Sequence, residues 1–399
     1  MFDFEARRVI EALRAGIPSR AVSQYFFSAR QDMLSALSRK LNEIHENGIS
    51  GGMVVTGKYG EGKTHLLNTV FNMAQSANMV VSFVSLSKET PLDKLHLVYP
   101  KVLQNTYLPN RLQPGFFDAL ANITPNSAVA EEMTAYTATR LKSDKLFYLF
   151  RSYLRTDDPD EKHMLLADLE GDFINNAALK RIYKRIFSDK CIFKNTFAKT
   201  KHMEDYFAMV SHLFRQLGCN GWVLLFDETE LTGKLGKKAR LRAYRNMASF
   251  LYPDENVQSV FSMFAVTDSY APEVIEGKNE YDNLASAGLE PNDAEAAEKS
   301  LDAIETAVHL KPLTKDEISL IIENLIDFYK RAYNWRPKIN VPELCAGTDN
   351  KGYLLRTRIR AVVECLDQLY QYNQVGDIRI DELGQMHYEE DLPELPVDE

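Results

Sequence analysis

Apolar positions recur at helical spacing over residues 6–15 and again over about 29–46, and each run ends at a residue that suits a helix stop, Gly16 and the pair Asn47-Gly48. From Gly52 the pattern changes. Short apolar runs at residues 53–56, 79–85, 223–226 and 260–266 read as strands, and amphipathic stretches separate them. Strands spaced by helices predict an α/β fold with a parallel sheet. Between the second and third strands, residues 147–155, 173–187 and 203–217 carry helical periodicity, so a helical insertion on the sheet is expected at about 109–201.

Residues 286–306 are acidic and alanine-rich, and fit an exposed helix or loop before the apolar segment 308–310. Beyond them, Thr314 followed by Glu317 forms the signature of a capping box ahead of a long amphipathic helix to about Tyr333. Further helices are expected near 341–346 and 356–372. The resulting organisation is an N-terminal helical segment at 1–48, a core at 49–310, a helical lid at 311–375 and an acidic, proline-broken tail at 376–399.

Composition narrows the class without choosing a function. The 399 residues are 45% hydrophobic, with 47 Lys and Arg against 56 Asp and Glu for a formal charge of −9. That balance excludes wholesale disorder and disfavours a surface that coats nucleic acid nonspecifically. No run approaches the roughly 18 apolar residues of a membrane span, and the first twenty residues lack a secretory pattern, so no membrane association and a cytoplasmic location are expected. Cys191, Cys219, Cys345 and Cys365 lie too far apart for a disulfide framework or a structural zinc site to be expected.

The segment Gly57-Lys58-Tyr59-Gly60-Glu61-Gly62-Lys63-Thr64 meets every fixed position of G-x-x-x-x-G-K-[ST], follows an apolar strand and opens a helix at His65. Glycines allow successive N–H groups to turn inward around a phosphate, and the helix N-terminus adds partial positive charge. Gly57, Tyr59, Gly60, Glu61, Gly62, Lys63, Thr64 and His65 are therefore assigned to nucleotide binding. Lys63 would reach the β- and γ-phosphates, and the Thr64 hydroxyl would meet a bound magnesium ion.

A second signal closes the apolar run 222–226, where Asp227 and Glu228 stand in succession. Asp227 would hold hydrated Mg2+, and Glu228 would orient and deprotonate the attacking water. Glu230, two residues on, reads as a solvated or structural acid. Thr267, at the end of the 260–266 strand, would sense the γ-phosphate if that strand lies between the two motif strands; equally, it could cap the following turn.

Arginines supply the remaining candidates. In Gly352-Tyr353-Leu354-Leu355-Arg356-Thr357-Arg358-Ile359-Arg360, Arg356 is best placed to reach a nucleotide from the lid, and Arg360 shares its face; a solvated basic face is the alternative. Lys234, Lys237, Lys238, Arg240, Arg242 and Arg245 crowd together just after the acidic pair. They could supply an arginine finger to a neighbouring subunit, contact a nucleic-acid backbone, or form a solvated helix face. Ser87-Lys88-Glu89-Thr90-Pro91, after the second strand, could contact a partner or DNA, or be a capped turn.

With these motifs in hand, the chain resembles the AAA+ ATPases and, among them, the ATP-binding BrxD-like proteins of bacterial BREX phage-defence loci, related to the origin-recognition and initiator clade. The likeness rests on RRVIEALRAGIPSRAV, GKYGEGKTHLL, VSLSKETPLDKL, LLFDETE and GYLLRTRIRA, and covers about residues 7 to 372. It implies an αβα P-loop core with a helical lid, ATP hydrolysis between subunits of a homo-oligomer, and a role in phage defence with DNA and a helicase or other defence protein. After Tyr372 the sequence departs from the initiator clade, with too few residues for a winged-helix domain. A nucleotide-gated scaffold with little hydrolysis or DNA contact is the alternative function.

Overall fold

The computed structural model describes residues 3–17, 19–26, 30–121, 123–336, 339 and 354–375. Cys345, Gly352, Tyr353, the helix expected at 341–346 and the tail from 376 lie outside the described residues. The chain divides into two compact units: residues 31–58 with 63–311, and residues up to Arg30 with Tyr59–Gly62 and the chain from Pro312 onward.

The larger unit is built on a six-stranded sheet of β1 (Gly51–Gly57), β2 (Val80–Ser85), β3 (Thr106–Tyr107), β4 (Trp222–Asp227), β5 (Val260–Thr267) and β6 (Val308–His309). Its order is β3-β2-β4-β5-β1-β6, and every pairing is parallel except that of the short edge strand β3 with β2. Each parallel step requires a crossover, which the intervening helices provide. The mixed α/β architecture expected from the strand and helix pattern is present.

Alternation along the strands assigns their side chains to opposite faces. Val55, Val81, Val223, Leu225, Phe261, Met263 and Ala265 pack with helices Gln31–Asn47 and Lys63–Ser76 on one face. Val54, Val80, Leu224, Phe226 and Phe264 pack on the other with helices Met203–Gln216, Lys237–Leu251 and Pro291–Glu305. The rings of Phe226 and Phe264 stack at 4.6 Å between β4 and β5. Burial on both faces explains why these strands read as continuous apolar runs.

The expected N-terminal segment divides at Arg30. Helix Gln31–Asn47 places Leu34, Leu37, Leu41 and Ile44 along one buried stripe against the sheet, so it belongs to the core. Between β3 and β4 run helices Phe117–Ala121, Ala128–Thr139, Lys145–Arg155, Pro159–Leu169, Asn176–Phe187 and Met203–Gln216. A buried ion pair holds this region together: Lys145 meets Asp168 at 2.5 Å, and Asp168 also accepts from the Tyr206 hydroxyl at 2.6 Å and the Ile174 amide at 2.7 Å.

The smaller unit packs helices Phe4–Arg14, Arg20–Tyr25, Lys315–Tyr333 and Leu355–Tyr372 around Val9, Ile10, Ile322, Leu325, Val362 and Leu366. Arg14 spans this core, donating through Nε and Nη2 to the two Asp367 oxygens at 2.9 and 2.7 Å. The capping box expected at Thr314 and Glu317 is formed in both directions.

Candidate functional site

In the larger unit, β1 runs into the phosphate loop and Lys63 opens the next helix. The Lys63 ammonium is buried and donates to the carbonyls of Gly57 at 2.8 Å and Lys58 at 3.2 Å. The Thr64 hydroxyl donates to Oδ2 of Asp227 at 2.6 Å, joining residues 163 positions apart in sequence. The first turn of one helix and the end of β4 therefore meet side chain to side chain.

Asp227 is only 6% exposed, and its second carboxylate oxygen accepts the Glu228 amide at 3.0 Å. Burial pushes its carboxyl above the ordinary value, while the Thr64 hydroxyl, the Glu228 amide and the Lys63 charge act in the opposite direction. A buried acid of this kind gains from a cation. Thr64 and Asp227 present hard oxygen donors side by side, the donor chemistry that Mg2+ takes when phosphates and water complete its shell. These two residues fit the expected metal.

Glu228 follows in the left-handed region, with φ +57° and ψ +35°, and leaves the strand with its side chain exposed. For a residue with a Cβ this backbone carries strain, which persists where the surroundings require a particular side-chain direction. Here the kink separates an inward Asp227 from an outward Glu228. The short 3-10 helix Thr229–Lys234 starts at once.

Of the two sequence readings of Glu230, solvated or structural, its burial agrees with the structural one. Its carboxyl is largely buried; burial pushes it upward, and the charges of Asp227 and Glu228 push the same way against Lys63. Among the described residues its Oε2 has no hydrogen-bond partner. Spacing alone does not reveal this, because burial comes from the 3-10 turn that folds the segment back.

The strand order places β5 between β1 and β4, the arrangement on which the sensing role of Thr267 depended. Thr267 stands in register with Gly57, and the Asp268 amide donates to the Gly57 carbonyl at 3.3 Å. Its hydroxyl lies 3.5 Å from Ser269 Oγ, too long for a strong cap.

The three arginines of the basic cluster after the acidic pair are each paired with a carboxylate inside the chain. Arg240 is buried; its Nε donates to Glu280 at 2.9 Å, its Nη1 donates to the Leu235 carbonyl at 2.8 Å, and Glu280 is fully buried. A side chain so held cannot extend to a neighbouring subunit without leaving a buried carboxylate unpaired, so the finger expected at Arg240 meets a structural obstacle. Arg242 has a side chain 56% exposed and pairs with Asp93 at 3.1 Å. Arg245 pairs with Asp293 at 3.0 Å and Glu204 at 3.8 Å. Ser87, Glu89 and Thr90 hydrogen-bond among themselves as a capped turn.

The loop tip Tyr59–Gly62 groups with the smaller unit. Gly60 has φ +77°, and a Cβ there would stand 3.0 Å from Leu354, so the turn and the close approach both call for glycine. Arg356 is exposed on the first turn of its helix, with its guanidinium 5.9 Å from the Tyr59 ring centroid. Sequence reasoning missed Arg30. Its Nη2 donates to the Glu61 carbonyl at 2.9 Å and its amide donates to Glu317 at 2.9 Å. Glu317 is also the capping-box residue, so one carboxylate serves a helix end and the arginine that holds the loop tip.

With the loop, the acidic strand end and the strand between them in place, the family comparison decides the assignment. The family described as "BREX system ATP-binding protein BrxC/D" matches residues 3–123 and 145–380. The chain belongs to the BrxC/D family. It is thus a member of the ATP-binding proteins of BREX phage-defence systems, and the unmatched stretch 124–144 covers helix Ala128–Thr139 of the insertion. No curated protein matches the sequence at a significant level. Among the described residues, no helix is long and apolar enough to cross a membrane.

Proposed function

We propose that this BrxC/D protein is a magnesium-dependent AAA+ ATPase that assembles into a homo-oligomer and acts on DNA with other defence proteins, a helicase among the candidates, in the cytoplasm. The contact between Thr64 and Asp227 carries the reading, because it joins the phosphate loop to the acidic strand end as hydrolysis requires. Gly57, Tyr59, Gly60, Glu61, Gly62 and His65 shape the phosphate cradle, and Lys63 releases its loop carbonyls to meet the β- and γ-phosphates. Bound between Thr64 and Asp227, Mg2+ would offset charge on the transferred phosphoryl group.

Glu228 takes the proton from a water that attacks the γ-phosphorus, and ADP leaves with the other bonding pair. Its exposed position just past the buried Asp227 supports this division of labour. Thr267 steadies the same water. Arg356 contributes from the helical lid. Arg242 is the finger acting in trans: it is more exposed than Arg240 and is held by one contact, to the buried Asp93, which it would give up on reaching a neighbour's nucleotide.

Phosphate release from ATP by the purified protein, with Mg2+ or EDTA, tests the reading when paired with light scattering in the presence and absence of ATP. Metal-dependent release and an ATP-induced rise in mass support it. Nucleotide binding without release contradicts hydrolysis.

A further inference from the structure

Residues 176–201 hold eight basic side chains and a single acid, Asp189, in a chain whose net charge is −9. Helix Asn176–Phe187 buries Leu179, Ile182 and Tyr183, which turns Lys180, Arg181, Lys184 and Arg185 outward. They form two pairs at i,i+4 spacing, about 6 Å apart along the axis. The charges line up instead of dispersing.

The chain after this helix is anchored on helix Lys145–Arg155 and its N-cap, and touches the basic helix at Lys180. The Tyr148 hydroxyl donates to the Ile192 carbonyl at 3.0 Å, the Asn195 amide donates to Asp144 at 2.7 Å, and the Lys180 ammonium stands 5.1 Å from the Phe193 ring centroid. Lys190 precedes that anchored stretch, Lys194 lies within it, and both are exposed. Arg185 pairs with Glu161, whereas Lys180, Arg181, Lys184, Lys190 and Lys194 form no ion pair among the described residues. This contrasts with Arg240, Arg242 and Arg245, each of which ends on a carboxylate of its own chain.

We propose that this face of the helical insertion binds the phosphate backbone of duplex DNA. Five cations that form no ion pair among the described residues, in a chain of net charge −9, have polyanions as their natural complement. A membrane surface fits less well, because the apolar side of the helix is already buried and Ile192, 64% exposed, is a lone hydrophobic residue there. The proposal gives a location to the DNA contact of the reading above and rests on that part of it alone.

The test uses the full chain and a fluorescent duplex of about 20 base pairs, with anisotropy followed over a range of salt concentrations. The variant K180A/R181A/K184A/K194A changes only exposed side chains, and an unchanged circular dichroism spectrum and thermal unfolding midpoint serve as its folding control. We expect at least a tenfold loss of affinity and a log-log salt slope shallower by about 0.9 for each phosphate contact removed. The comparison variant K234A/K237A/K238A should bind within about twofold of wild type. Failure of the wild type to bind the duplex, or unchanged affinity and slope in the fourfold variant, overturns the proposal; so does loss of binding only to phosphatidylserine vesicles. Absent turnover with normal patch-dependent DNA binding would instead overturn the ATPase reading and leave this surface intact.

Discussion

The Thr64 hydroxyl donates to Asp227 Oδ2 at 2.6 Å, so the second residue of one helix and the last residue of β4 share a hydrogen bond across 163 residues of sequence. The relationship depends on the parallel sheet, which brings the C-terminal ends of β1 and β4 to the same edge with β5 between them. An oxygen pair at that edge has a direct chemical consequence. Replacing Asp227 with Asn should raise the Mg2+ concentration for half-maximal turnover at least about tenfold, measured by metal titration at fixed ATP. An unchanged metal requirement would place the ion elsewhere.

Arg240 and Arg242 should separate cleanly. Truncating Arg240 to Ala leaves the buried Glu280 carboxyl without its partner, and should cost about 3–5 kcal/mol in denaturant unfolding. Arg242→Ala leaves Asp93, whose side chain is only 3% exposed, without its partner, and should cost about 1–3 kcal/mol, less than the Arg240 change because Arg242 itself is 56% exposed. As the finger, however, Arg242 should cost on the order of 10³-fold in turnover while ATP binding stays intact. Full turnover by a folded Arg242→Ala protein would remove that role.

Glu230 makes stability depend on pH in a defined direction. Burial raises its folded pKa above the ordinary 4.5, so between that value and its folded one the native state binds more protons than the unfolded state. The Glu230 contribution to stability therefore falls as pH rises through this window. Glu230→Gln should raise the melting temperature at neutral pH, with the gain fading as pH falls toward 4.5. A gain independent of pH would point to packing instead of charge.

Arg30 is expected to act through the loop tip it holds. Its charged hydrogen bond to the Glu61 carbonyl belongs to a class worth about 1.5–3 kcal/mol. Arg30→Ala should therefore weaken ATP binding roughly tenfold or more by calorimetry, with partial recovery in Arg30→Lys. Equal affinity in the wild type and both variants would make the contact incidental.

Local patterns carried the parts of the fold that depend on near neighbours. The phosphate loop, the acidic end of β4, the capping box at Thr314 and the buried strands are each legible because their chemistry is complete within a few residues. What depends on distant pairing was not. The position of β5 between β1 and β4 arises from sheet order, and the neutralisation of Arg240 depends on Glu280, 40 residues downstream. Arg30 gives no local signal, since its role comes from Glu61 and Glu317. The basic face at 176–201 was obscured for a related reason: charge density is visible in sequence, but which cations retain no internal partner is a property of the folded chain.

Glu228 bears the central claim, and the most direct measurement is ATP turnover by wild type and Glu228→Gln with nucleotide affinity measured in parallel. Turnover in the wild type, with a loss of about 10²–10⁴-fold in Glu228→Gln and ATP affinity retained, is the result a base at the edge of β4 requires. Equal turnover in the two proteins, or ATP binding without hydrolysis in either, would contradict it and identify a nucleotide-gated scaffold.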